Sequence, residues 1–173
     1  MLRNAPQMRH LEQPAATDAA IAETGAVEVP IAGPTQAIGN VPSAAGFAAM
    51  QSALKSSGGL LHADDLVCRW RDRRRGDYVS LARMIAVGEV CSFEWQRGQW
   101  LPVFQFDPHD YSVKQPVRMV QAELGHALRG WTLAAWFAQP NAWLADQRPA
   151  DLVHLRPLKV LKAACGDRYR VAP

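Results

Sequence analysis

The sequence predicts a mainly α-helical fold with one β-hairpin. Three observations carry this reading. From Ser43 onwards, apolar residues recur at three- and four-residue spacing through most of the chain. One stretch, 91–106, switches to aromatic and β-branched residues around an Arg97-Gly98 turn. The segment Met1 to Pro42 is mainly Ala, Pro, Gly, Thr and Gln, has no aromatic residue, and reads as a disordered leader without a core of its own.

The elements follow in order. Ser43 is an N-cap for a helix that places Phe47, Met50 and Leu54 on one face, and Ser56 to Gly59 end it. Leu60-Leu61-His62 fits a strand or a turn. Asp64 and Asp65 then favour a helix start, with Leu66, Val67 and Trp70 as the buried face and Gly76 as the stop. These two aspartates read as helix-start charge rather than as an acid/base pair. Asp77 caps a third helix with Tyr78, Leu81, Met84 and Ile85 at helical spacing and Gly88 at its exit.

The hairpin comes next. Phe93 and Trp95 share one strand face and Trp100, Phe104 and Phe106 another, and Pro102 confines its strand to an edge or an early stop. Period-two packing onto neighbouring helices accounts for these rings, with a stacking platform for single-stranded nucleic acid as the alternative. Beyond Asp107 the pattern is helical. Val117, Val120, Leu124 and Leu128 form a stripe over 116–129, ended by Gly130. Trp131 to Ala138 is apolar all round and so buried, and Pro140 stops it. Pro149 and Pro157 open two last helices, the second presenting Val160, Leu161 and Ala164 before Gly166.

Two helices, a tight turn and a following hairpin suit a winged helix-turn-helix-like module over 43–106, with a small helical domain over 107–173. In that arrangement Arg73, Arg74 and Arg75 neutralise DNA phosphates, Ser80 and Arg83 on the third helix face base edges, and Arg97 sits at the tip of the wing. The plain alternative is a solvated helix end whose cations favour the C-terminal dipole, with Asp72 and Asp77 diluting the charge.

Composition narrows the function classes. With 173 residues, 49% of them hydrophobic, the chain can bury one or two modest cores. A balance of 19 Lys+Arg against 16 Asp+Glu, net +3, permits an anionic partner without requiring one. Cys68, Cys91 and Cys165 are odd in number and lack CxxC spacing, which argues against a disulfide framework and for a reducing cytoplasm. No apolar run is long enough for a membrane span or a signal peptide. His10, His62, His109, His126 and His154 show no ligand spacing, and no phosphate-cradle or nucleophile-elbow motif is present. The expectation is a protein with no catalytic residues, metal or cofactor.

The segment from Trp131 to Val153 then carries a resemblance. Pro140, Asn141, Trp143 and Leu144 form a Pro-Asn-x-Trp-Leu turn, followed by Pro149, Asp151 and Leu152 and later by Val160 and Ala163-Ala164. This resembles the toxin-binding domain of Xre/MbcA/ParS-type antitoxins, and Leu101-Pro-Val-Phe-Gln-Phe-Asp107 resembles their Pro-x-Phe-Gln-Phe junction. The chain departs from that pattern in the loop Ala145-Asp146-Gln147-Arg148, where typical members have Gly-Gly or Asp-Gly. Physically, Asn141 can cap the turn while Trp143 and Leu144 anchor it in the core.

The resemblance implies an antitoxin that forms a homodimer, binds its operator DNA and sequesters a toxin, commonly one of the NAD-consuming RES type. It directs attention to an exposed C-terminal tail, in which Arg168, Tyr169 and Arg170 are the expected partner contacts. The other readings are an orphan DNA-binding transcriptional regulator whose helical domain only dimerises it, and a structural adaptor module.

Overall fold

The computed structural model describes residues 38–171, with side chains as far as Tyr169. Within them are seven α-helices and one three-stranded antiparallel sheet, a mainly helical fold. Most of the leader expected over 1–42 lies outside the described residues. Of its last five residues, Ile38 is only 5% exposed and Gly39 to Pro42 are exposed, and the carbonyls of Ile38 and Gly39 accept hydrogen bonds from Gln139 and from Trp131 Nε1.

Helix α1 (Ala44–Leu54) starts where Ser43 Oγ accepts from the Gly46 N–H at 3.0 Å, and it buries Met50 and Leu54. Lys55–Ser57 tighten into a 3-10 turn, and Gly58 at φ 105° reverses the chain. Strand β1 (Leu60–His62) leads into α2 (Ala63–Asp72), and the turn 73–77 into α3 (Tyr78–Ala86), capped by Asp77 Oδ1 on the Ser80 N–H at 2.9 Å. Strands β2 (Phe93–Trp95) and β3 (Gly98–Pro102) form the expected hairpin.

β1 joins that hairpin by pairing with β3, so the sheet order is β1-β3-β2 and β3 is central. Pro102 is tolerated there because it is the last strand residue, opposite Leu60. The turn itself is Gln96-Arg97, with φ of 46° and 62°, rather than Arg97-Gly98. Gly98 is needed instead for packing: a Cβ there would lie 2.7 Å from His62 Nε2.

The sheet separates two apolar layers. Leu61 and Leu101, a directly opposed pair, face α2 and α3 with Leu66, Val67, Trp70 and Leu81. Phe93 and Trp100, also opposed, face α1, where Phe47 stacks on Trp95 at 5.4 Å between ring centres and meets Trp100 edge-on at 5.2 Å. This corrects the assignment of Trp100 to a different face from Phe93: residues opposite each other in an antiparallel pair point to the same side. Phe104 and Phe106 leave the strand pattern altogether. The chain turns through a 3-10 helix at Val103–Gln105, sending Phe104 into the layer that faces α1 and Phe106 into the layer that faces α2 and α3.

Helices α4 (Gln115–Leu124), α5 (Gly130–Ala138), α6 (Pro149–Leu152) and α7 (Pro157–Val171) complete the fold. α4 ends before the expected 129, because Gly125 closes it with its N–H on the Gln121 carbonyl at 2.7 Å. Gly130 opens α5 instead of ending α4. α5 buries Trp131, Leu133, Ala134, Ala135, Phe137 and Ala138, as expected of a helix apolar on all sides. The expected boundary at 106/107 is not a break in packing. Met50, Leu54 and Phe104 share one core with Phe137, Val153 and Val160.

Candidate protein and nucleic-acid surfaces

Around the α2–α3 turn the arginines divide into two groups. Tyr111 lies between Arg69 and Arg73, whose guanidinium carbons are 5.3 and 5.2 Å from its ring centre. Its position is fixed by Trp70 Nε1, which donates to the Tyr111 carbonyl at 3.2 Å. Arg75 pairs with Asp110. Hydrogen bonds from Ser112 hold the Asp110 carboxyl below the usual carboxylate range, with Arg75 adding a smaller effect. Arg69, Arg73 and Arg75 are therefore occupied by the 107–113 loop. Arg74, at φ 54° in the turn, Arg83 on α3 and Arg97 at the hairpin tip are exposed and form no ion pair with the described residues.

Ser80, expected at the base edges, is half-exposed and takes part in the cap of its own helix. Its hydroxyl donates back to Asp77 Oδ1 at 2.8 Å, and the Ser80 N–H and hydroxyl together hold Asp77 below the usual carboxylate range. The outward face of α3 is Val79, Ala82, Arg83, Ala86 and Val87, one cation in an otherwise apolar row. Beside it, a cavity of about 630 Å³ lies between α3, β2 and the α4–α5 turn, lined by Val87, Cys91, Gln99, Arg129 and Leu133 among others. Burial pushes the Cys91 thiol up to about 12, so it stays protonated and unreactive there.

The second surface is built by the Pro-Asn-x-Trp-Leu turn. Asn141 Oδ1 accepts from the Trp143 N–H at 2.9 Å and starts a 3-10 turn at Ala142–Leu144. Leu144 enters the core, but Trp143 does not: it is 61% exposed. Its ring lies on Gly166, where a Cβ would come within 3.1 Å of Trp143 Cε2. Gly166 therefore permits close approach inside α7, and the helix continues past it instead of ending.

The next residue, Asp167, gathers three donors. Trp136 Nε1 and Asn141 Nδ2 donate to Oδ2 at 2.9 and 2.7 Å, and Trp143 Nε1 donates to Oδ1 at 3.1 Å. The sequence places Asp167 at the start of the exposed tail, because it follows an apparent helix exit, and gives no sign that its carboxylate is engaged within the chain.

The expected tail is thus the last part of α7. Arg168 turns to Glu123 at 2.7 Å and lies 4.7 Å from the Tyr169 ring centre, which leaves Tyr169 as the outward member of the pair. The side chain of Arg170 lies outside the described residues. The loop that departs from the family pattern carries Ala145 and Asp146 at φ 54° and 58°, the left-handed region that favours glycine. Ala145→Gly is expected to raise stability by about 1 kcal/mol, read from urea denaturation; an unchanged or lower midpoint would show that the loop bears no such strain.

Among the described residues no helix is long and apolar enough to cross a membrane, and no group of His, Cys, Asp and Glu is placed to hold a metal ion. No protein-family model matches the chain, and neither do any curated proteins or solved structures.

Proposed function

We propose that the chain is a non-catalytic, antitoxin-like regulatory protein that binds a partner protein through its C-terminal helices, with a RES-type NAD-consuming toxin as the expected partner. The observation that carries this is the Asp167 clamp. Residues of the antitoxin-like turn, Asn141 and Trp143, tie α7 at Asp167 and leave Trp143 and Tyr169 exposed nearby. Exposed Trp and Tyr side chains, with few rotatable bonds, lose little entropy on binding and are favoured as interface anchors.

Co-expression with a RES-domain toxin from the same genome tests the reading. The intact chain is expected to restore growth and to co-purify with the toxin, and failure of both would sink the proposal. Deleting the last eight residues is not a clean variant, because it removes Asp167 and with it a support of the fold.

A second reading, operator binding, is favoured by connectivity. The order α1-β1-α2-α3-β2-β3 with sheet order β1-β3-β2 is compatible with a winged helix-turn-helix, and in that reading the exposed Arg74, Arg83 and Arg97 belong to its turn, third helix and wing tip. On its own promoter fragment the chain is expected to bind with a steep salt dependence. Arg97→Ala should lower that log–log slope by about 1. A slope unaffected by Arg97→Ala removes the wing from the contact set.

A further inference from the structure

Resting on the partner-binding reading, we infer that the docking element is the outer stripe of α7 with Trp143, and that it fits a partner groove that is apolar at its floor and carboxylate-rich at its rim. The inner face of α7 is settled by Val160, Ala163 and Ala164, all buried. On the opposite face, Leu158, Lys162, Cys165 and Tyr169 recur at steps of four, three and four residues, one row along the helix.

Leu158 and Tyr169 are 69% and 75% exposed, and Leu155, in the turn ahead of the helix, is 77% exposed. Trp143 flanks the same row through its contact with Gly166. Two large side chains of α7, Leu158 and Tyr169, and two from neighbouring turns, Leu155 and Trp143, thus stand exposed, an arrangement that marks contact surfaces.

Charge selects among occupants. Arg156, Lys159 and Lys162 are exposed along this stretch and form no ion pair with the described residues. Within 157–169 the one acid, Asp167, has its carboxylate engaged by Trp136, Asn141 and Trp143. Apart from Glu123 of α4, which pairs with Arg168 at one edge, the face is apolar and cationic. A second copy would oppose Arg156, Lys159 and Lys162 with the same three cations and offer only Glu123, already paired with Arg168, and a phosphate backbone would leave the leucines and Trp143 without a complement. A partner with a carboxylate-rimmed apolar groove satisfies both properties, as in helix-in-groove recognition.

The test titrates a purified RES-domain toxin from the same genome into the full chain, following heat and Trp emission, against Leu158→Glu and Lys162→Glu. Both substitutions lie at exposed positions, and circular dichroism melts should match the unmodified chain. Each variant is expected to bind about thirtyfold more weakly, and binding of the unmodified chain to weaken as salt rises. Binding by both variants at the unmodified affinity would overturn the stripe and leave the partner reading intact. No binding by the unmodified chain would overturn both. A halving of the apparent mass of the free chain on Leu158→Glu would assign the stripe to a second copy and overturn the proposed occupant.

Discussion

Gln105→Ala is expected to lower stability by about 4 kcal/mol, or roughly 12 °C in the thermal midpoint. Gln105 is fully buried, and its amide serves three backbone groups at once. Nε2 donates to the Cys91 and Pro102 carbonyls at 2.8 and 2.9 Å, and Oε1 accepts from the Cys91 N–H at 2.9 Å. Alanine leaves those groups without partners in a site closed to water and adds a cavity, two costs of similar size. Gln105→Leu separates them, since leucine restores volume but no hydrogen bond; it should recover less than half of the loss. Calorimetry gives both values. A Gln105→Ala midpoint within about 3 °C of the unmodified chain would show that the amide is not holding the start of the hairpin to its end.

Asp167→Ala is expected to cost about 3 kcal/mol, near 8 °C. Three neutral donors from three points of the chain converge on one carboxylate, and hydrogen bonds to a charged acceptor are the stronger kind. The group is only half-buried, so water recovers part of the loss, which places the effect below that of Gln105. Asp167→Asn keeps one oxygen but turns an NH₂ toward the donors, and should fall between. Because Trp136 and Trp143 are both donors, a red shift in their emission should accompany the lower midpoint. A drop without any spectral change would point to a cause other than the clamp.

Helix starts were the most legible part of the sequence, because a cap is a local device: Ser43, Asp77 and Asn141 each act within three residues of themselves. The apolar faces of α1, α2 and α5 followed equally from spacing. What remained hidden depends on distant partners. Nothing local marks Tyr111 as the residue that engages Arg69 and Arg73, or Asp110 as the partner of Arg75. Gly98 and Gly166 looked like punctuation, and each instead makes room for a ring from elsewhere, His62 in one case and Trp143 in the other. Trp143 was read as core because its neighbour Leu144 is. Its role on the outside of α7 depends on Gly166 being a packing position within a continuing helix.

The core shared by Met50, Phe104, Phe137 and Val160 also bears on how such a chain can change over generations. Recombination that exchanges one half for that of a relative would have to deliver a matching apolar face. The two ends are therefore expected to be inherited together. Exposed positions such as Arg83, Arg97, Leu158 and Lys162 can vary without disturbing that shared interior.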